Sequence, residues 1–201
     1  THPAAQDLTA ANATLTGDVT VGSGTATDRK IVFDGNAQDY HIGLDDSADS
    51  LIIGKGSALG TTSHIVTDEN GHVTMPLQPA FLVSPSTEQN NLTHDQTMTF
   101  DTEIYDQNAD FSSNTFTAPV TGRYLMCVAV EVDSVDTSAG FVRVEMATSN
   151  RAYSNSLVDP GGLDTNDYMS FDYSIIVDMD ANDTCFLRWG QSGGSNVADL
   201  S

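Results

Sequence analysis

Between Lys30 and Gly60 the chain reads KIVFDGNAQDYHIGLDDSADSLIIGKGSALG: three short apolar runs, each ended by a cluster of Asp, Asn, Ser and Gly. Runs this short, with turn residues recurring about every eight to twelve positions, predict successive short β-strands. The same grammar continues on both sides, in ATLTGDVTV before it and in HIVT and HVTM after it, with GSGTATD and DENG as separators. Within DENG, Asn70-Gly71 predicts a two-residue hairpin turn, because both central positions of that turn favour positive φ.

From about Pro79 the runs lengthen and alternate cleanly. Tyr124, Met126, Val128, Val130 and Val132 fall on one face of a strand, Phe171, Tyr173, Ile175 and Val177 on another, and Cys185, Leu187 and Trp189 on a third. Period-two alternation without helical periodicity predicts an all-β antiparallel sandwich of the jelly-roll kind. Its core would be built from Phe100, Phe111, Phe116, Tyr124, Phe171, Tyr173 and Trp189. Pro160, Gly161 and Gly162, and the stretch Ser192–Ser195, mark turns. The change of pattern divides the chain into residues 1–77, a β-rich unit of short strands and turns, and residues 78–201, the sandwich.

The first unit is short of core material. Phe33 and Tyr40 are its only aromatics before residue 81, and a unit of that length normally needs a dense core to fold alone. Its pattern therefore predicts a core pooled between copies, three chains burying Ile31, Phe33, Ile42, Leu44, Leu51 and Ile53 along a common axis. The competing reading is an extended linker, which the Gly, Ser, Thr and Asp content permits; the regular strand spacing favours the shared core.

Charge narrows the function. With 28 acidic and 7 basic residues the formal net charge is −21. Nucleic acid is excluded as a partner because phosphate recognition needs clustered positive charge, and an anionic membrane or acidic polysaccharide would be repelled. Hard cations such as calcium fit the field better. No apolar run approaches the ~20 residues needed for membrane insertion as a helix. The start, THPAAQDL, has none of the features of a signal peptide and suggests a fragment or the mature end of a longer chain. Cys127 and Cys185 make no disulfide framework; by strand phase they point to different faces, so free thiols are expected, with the redox compartment open.

Motifs for chemistry are few. DMDANDT (178–184) has acidic residues at alternate positions but lacks the Gly and Glu of a calcium-binding EF-hand loop, and reads as a hairpin turn. DDSADS (45–50) reads as a solvated turn. The histidines form no HxH or HExxH pattern, no serine sits in GxSxG, and IIGKGSALG lacks the Walker spacing. No catalysis is expected. Recognition would fall to loops carried by the sandwich, where Asp133, Asp136, Asp159, Asp164 and Asp167 are candidate calcium or receptor contacts.

The segment FDTEIYDQNADFSSNTFTAPVTGRYLMCVAV resembles the diagnostic segment of C1q-like domains, trimeric jelly rolls related to the tumour necrosis factor fold. Phe100, Asp106, Phe111, Phe116, Gly122 and Tyr124 match the family's order of aromatics, Asn/Asp, Phe and Gly-x-Tyr. PAFLVSPSTEQ resembles the family's first strand, and IIVDMDANDTCFLRW its late strand–turn–strand. Phe111 to Phe116 is two residues shorter than the family spacing, Met126 and Val128 stand where aromatics are usual, and no final aromatic-Gly strand is recognisable. In the first unit, TLTGDVTVGSGTA, the Asp28–Gly60 stretch and DENGHVTM resemble stalk sequence of bacteriophage tail fibres, particularly those of marine phages. Together the resemblances imply a homotrimeric virion tail fibre on the particle surface, in which a shaft projects a knob. Partners would be other fibre, tail or baseplate proteins and a host cell-surface glycan or protein. A capsid or collar fibre without a receptor role, a secreted C1q-like lectin and a polysaccharide depolymerase are the alternatives.

Overall fold

The computed structural model of the protein describes residue 12 and residues 14–154, 157–163 and 168–201. The chain divides into two compact units, Thr1–Pro76 and Leu77–Ser201.

The first unit is an antiparallel meander of β1 (Arg29–Phe33), β2 (Tyr40–Asp45), β3 (Ser50–Lys55), β4 (Ser63–Thr67) and β5 (Val73–Thr74), paired in chain order. Register lines the side chains up in rows across the strands. Ile31, Ile42, Ile53 and Ile65 form one row; Arg29, Leu44, Leu51, Thr67 and Val73 form a second; Phe33, Tyr40 and Lys55 form a third. These rows share one face, because side chains alternate along a strand. The other face carries His41, Gly43, Ile52 and Gly54.

Among the described residues the unit itself covers only the second face. Loop 56–62 folds back over it, held by Lys55 N–H to Thr62 O (2.9 Å) and Gly56 N–H to Asp39 O (2.7 Å). His41 Nδ1 donates to Gly56 O at 2.8 Å. Glycine is required at 43 and 54 by close approach. A Cβ on Gly43 would lie 2.8 Å from the Leu59 side chain and 2.5 Å from Arg29 O; one on Gly54 would lie 2.7 Å from the His41 ring. Burial in β3 consequently alternates strictly, Ser50, Ile52 and Gly54 in, Leu51, Ile53 and Lys55 out.

Two sequence expectations are corrected here. ATLTGDVTV forms no strand over its described residues: Leu15, Val19 and Val21 are exposed, and no neighbouring strand pairs with them. A strand exists only where its backbone groups find partners, and this chain offers that segment none. The β4–β5 connection is a hairpin, but not with a two-residue turn. Asp68 organises it, its carboxylate accepting from the N–H groups of Asn70 (2.9 Å) and His72 (2.8 Å), and only Gly71 has positive φ.

The second unit contains β6 (Phe81–Ser84), β7 (Thr102–Asp106), β8 (Phe111–Ser112), β9 (Thr115–Thr117), β10 (Gly122–Asp133), β11 (Phe141–Thr148), β12 (Ala152–Tyr153), β13 (Met169–Met179), β14 (Thr184–Ser192) and β15 (Asp199–Leu200). They make a three-stranded sheet, β13-β10-β15, a five-stranded sheet, β12-β11-β14-β9-β8, and the β6–β7 pair. Inner faces of the sheets enclose one core. Phe100, Phe111, Phe116, Phe171 and Trp189 are buried in it, with Tyr124 and Tyr173 packed at its edge. Phe81 stacks on Phe111 and Phe116 with ring centroids 5.0 and 5.3 Å apart, and Phe171 meets Trp189 edge-on at 6.1 Å. Trp189 is wholly buried and its indole N–H donates to Gln191 Oε1 at 3.0 Å, which satisfies the polar end of a large apolar group.

One further correction and one addition concern this unit. The turn at 180–183 is tight, closed by Asp183 N–H to Asp180 O with Asn182 at φ 74°, yet β13 and β14 do not pair. It is a corner between sheets, since each of its strands finds its partner elsewhere, β13 on β10 and β14 on β11. The sandwich also has a final strand: Leu200, fully buried, pairs with Val132, and Asp199 with Asp133. Both cysteines are free, Cys127 exposed and Cys185 buried, and burial pushes the Cys185 thiol up to about 12.

Candidate functional site: the loops of the sandwich

Strand directions place two sets of loops at opposite ends of the sandwich. At one end lie the β10–β11 loop, the short 3-10 turn Pro160–Gly162 and the turn after β14. Asp136 ties two of these together. Its carboxylate accepts from Ser138 N–H (2.8 Å), Ser138 Oγ–H (2.8 Å) and Ser195 N–H (2.5 Å). The Ser195 and Ser138 N–H bonds, in that order, hold its pKa down at about 2. Asp133 accepts from the hydroxyls of Ser134 (2.7 Å) and Ser201 (3.1 Å). Asp159 caps the 3-10 turn, accepting from Gly161 N–H at 2.9 Å. Asp164 and Asp167 lie outside the described residues. All three described carboxylates are engaged by donors of their own or a neighbouring loop, and among the described residues no group of three or more His, Cys, Asp or Glu is placed to hold a metal ion.

At the opposite end an open cleft of about 530 Å³ is lined by Thr121, Gly122, Arg123, Asn150, Asp178, Met179 and Asp180, a volume within the range of small-ligand sites. Asp178 accepts from Arg151 Nη2 (2.9 Å) and Tyr153 O–H (3.1 Å). Asp183 accepts from Ser149 Oγ–H (2.7 Å), Asn150 Nδ2–H (2.6 Å) and Asp180 N–H (2.7 Å). The Ser149 bond, with the N–H of Asp180, lowers its pKa. The Asn150 amide, the Asp178 and Asp180 carboxylates, the Arg123 guanidinium and the Thr121 hydroxyl thus line one opening, a set suited to hydroxyl-rich ligands. Sequence reading had singled out only DMDANDT from this group. Asn150, Arg151 and Arg123 follow or open strands and carry no motif of their own.

A second arrangement missed from sequence is a buried charge cluster on the outer face of β11. Glu145, 1% exposed, is clamped by Arg188, with Nε at 2.5 Å, by Arg143 Nη2 at 2.8 Å and by Ser154 Oγ. Burial alone would raise its pKa, but the Ser154 and Arg188 hydrogen bonds and the two guanidinium charges outweigh that and hold it below the ordinary Glu value. Strict alternation in FVRVEMAT puts Arg143 and Glu145 on one face, while the Glu145–Arg188 pairing depends on β11–β14 register.

The six shared-core candidates of the first unit all lie on its uncovered face, with Ile42 half-buried and Phe33 61% exposed. No layer of the described chain packs over them.

No family model matches the sequence, and no curated protein does. The fold is similar to the globular domain of zebrafish complement 1qA protein, with 17% sequence identity over 61% of this chain and 92% of that chain and a TM-score of 0.46. The class the structure itself defines is an all-β protein, a short-strand meander and a two-sheet sandwich. Among the described residues no helix is long and apolar enough to cross a membrane.

Proposed function

We propose that the protein is an adhesive virion fibre segment, a homotrimer whose first unit forms a shaft and whose sandwich forms a C1q-like knob that contacts a host surface glycan or protein. The observation that carries this reading is the uncovered apolar face of the β1–β5 sheet. Among the described residues of that unit Ile52 is the only buried hydrophobic side chain, and such a sheet gains its stability from something laid against it. The sequence resemblance to phage tail-fibre stalks supports copies of the same chain in that role.

The knob contributes loops on a rigid sandwich, the usual division between scaffold and recognition. Its polar cleft at the Asn150–Asp178 end offers hydrogen-bonding groups of the kind that bind sugars, and three copies multiply weak contacts into avidity. The work of the protein in this reading is mechanical and adhesive, without a bond-breaking step. Adhesion is tested by labelling host cells with the purified full chain. Cells bind the wild type in this reading, and the double variant Arg123→Ala with Asn150→Ala loses at least tenfold in half-saturating concentration. Release of oligosaccharide from the host envelope would move the assignment to a depolymerase, and absence of any cell binding would leave only the structural role.

A further inference from the structure

The polar groups that line the cleft at the Asn150–Asp178 end of the sandwich are unevenly satisfied, and the imbalance points to a class of ligand. We infer that the cleft takes a sugar bearing one singly charged oxyanion, a carboxylate or a phosphodiester. The charge lies on the Arg123 guanidinium, while neighbouring sugar hydroxyls donate to Asn150 and Asp180. This deepens the adhesive reading above and rests on it.

Arg123 is open because of what its neighbour does. Register pairs it across the sheet with Asp178, and opposite charges at such positions lie close enough to bond. Here they do not. Asp178 commits both carboxylate oxygens elsewhere, Oδ2 to Arg151 at 2.9 Å and Oδ1 to the Tyr153 hydroxyl at 3.1 Å. The sandwich has four arginines; Arg143 and Arg188 are held by Glu145, and Arg151 by Asp178. Arg123 is exposed, and among the described residues its guanidinium has no ion pair or hydrogen bond.

The other open groups of the cleft are acceptors. Asn150 gives its Nδ2–H to Asp183 at 2.6 Å, and its Oδ1 has no partner among the described residues. Asp180 has one oxygen 3.4 Å from the Thr121 hydroxyl and no cation paired with it. Sugar hydroxyls answer both, because they supply donors. A guanidinium asks for the opposite, and its planar fork matches two oxygens of a carboxylate or phosphate. An amine would suit Asp180 but leave Arg123 unmatched. Asp178 and Asp180 also limit the ligand to one negative charge, since a second would face them with no further open cation in the lining. The chain's net charge of −21 repels a polyanion at a distance, but at physiological salt that field is screened over ~8 Å. Inside the cleft the lining groups decide, so the repulsion of acidic glycans expected from composition does not extend to this site.

Side-chain NMR reads the site directly. The chain has only five arginines, and the Arg123 Nε–H signal is the one that disappears in Arg123→Gln. The full chain is titrated with methyl glucuronide, glycerophosphoryl glucose and methyl glucoside as carboxylate, phosphodiester and neutral probes. The inference predicts a saturable shift of the Arg123 signal with at least one anionic probe, at an affinity at least tenfold above that for methyl glucoside. The tighter anionic probe identifies the source of the charge. In Arg123→Gln, followed through the Asn150 side-chain amide, that probe should fall to the affinity of methyl glucoside. Arg151→Gln gives an independent check: it frees Asp178 to pair with Arg123, so anion affinity should drop at least threefold although Arg123 is present. Both side chains are exposed, so both variants should keep the wild-type circular dichroism. Equal affinity for anionic and neutral probes overturns the charged ligand and leaves a sugar cleft standing. An undiminished affinity in Arg151→Gln overturns the part given to Asp178. No saturable shift with any probe overturns the inference outright; adhesion then survives only if the full chain still labels host cells, through another surface.

Discussion

The two units of this chain use the same kind of element to different ends. In the sandwich each long strand has one face turned to a second sheet, and the core holds Trp189, Phe116, Phe171 and their neighbours at near-zero exposure. In the meander a loop of seven residues stands where a second sheet would be, and Ile52 is the one hydrophobic side chain it seals among the described residues. Strand formation needs only a paired backbone; stability needs a second layer. The sandwich supplies that layer from its own sequence. The described residues of the meander do not.

The comparison can be broken first at the core. Trp189→Ala should destabilise the sandwich by about 3–5 kcal/mol, whereas Phe33→Ala should leave sandwich unfolding, followed by tryptophan fluorescence, within about 0.5 kcal/mol of wild type. Comparable losses from both would mean that the sandwich core does not stand on its own residues. Glu145→Ala comes next. It strands two guanidinium groups beside each other, and a loss of about 3 kcal/mol in denaturant unfolding is expected; a change under 1 kcal/mol would show that the cluster is solvated.

The smallest effect concerns Asp136. Its folded pKa of about 2 lies below the ordinary 3.8, so its carboxylate contributes stability that is complete above about pH 4 and is lost as pH falls through about 2. Thermal unfolding of the sandwich should accordingly fall between pH 4 and 2, and Asp136→Asn should flatten that part of the profile. An identical acid limb in the variant would show that the Ser138 and Ser195 bonds do not form in solution.

How far the sequence could be read follows from the same contrast. Tyr124 to Val132 and Phe171 to Val177 declare their inward faces because a sandwich core buries every second residue, and the structure has those positions inward. In KIVF, YHIGL and LIIG apolar residues occupy both phases, so alternation cannot say whether Ile52 or Ile53 is covered. Gly43 and Gly54 hold that information, as the close approaches of Leu59 and His41, but only once register is known. Asp180–Asn182 declares a turn, yet whether the strands on either side pair is decided by β10 and β11, far off in sequence. β15 is two residues long, too short for any periodicity. The Glu145 clamp joins residues 43 apart, and no local pattern announces it.

Molecular mass in solution bears most directly on the claim that copies share the meander's core. Light scattering on the purified chain, at micromolar concentration and physiological salt, should give three times the 21.4 kDa of one chain. A monodisperse 21.4 kDa species with the β1–β5 face still open to solvent would contradict it.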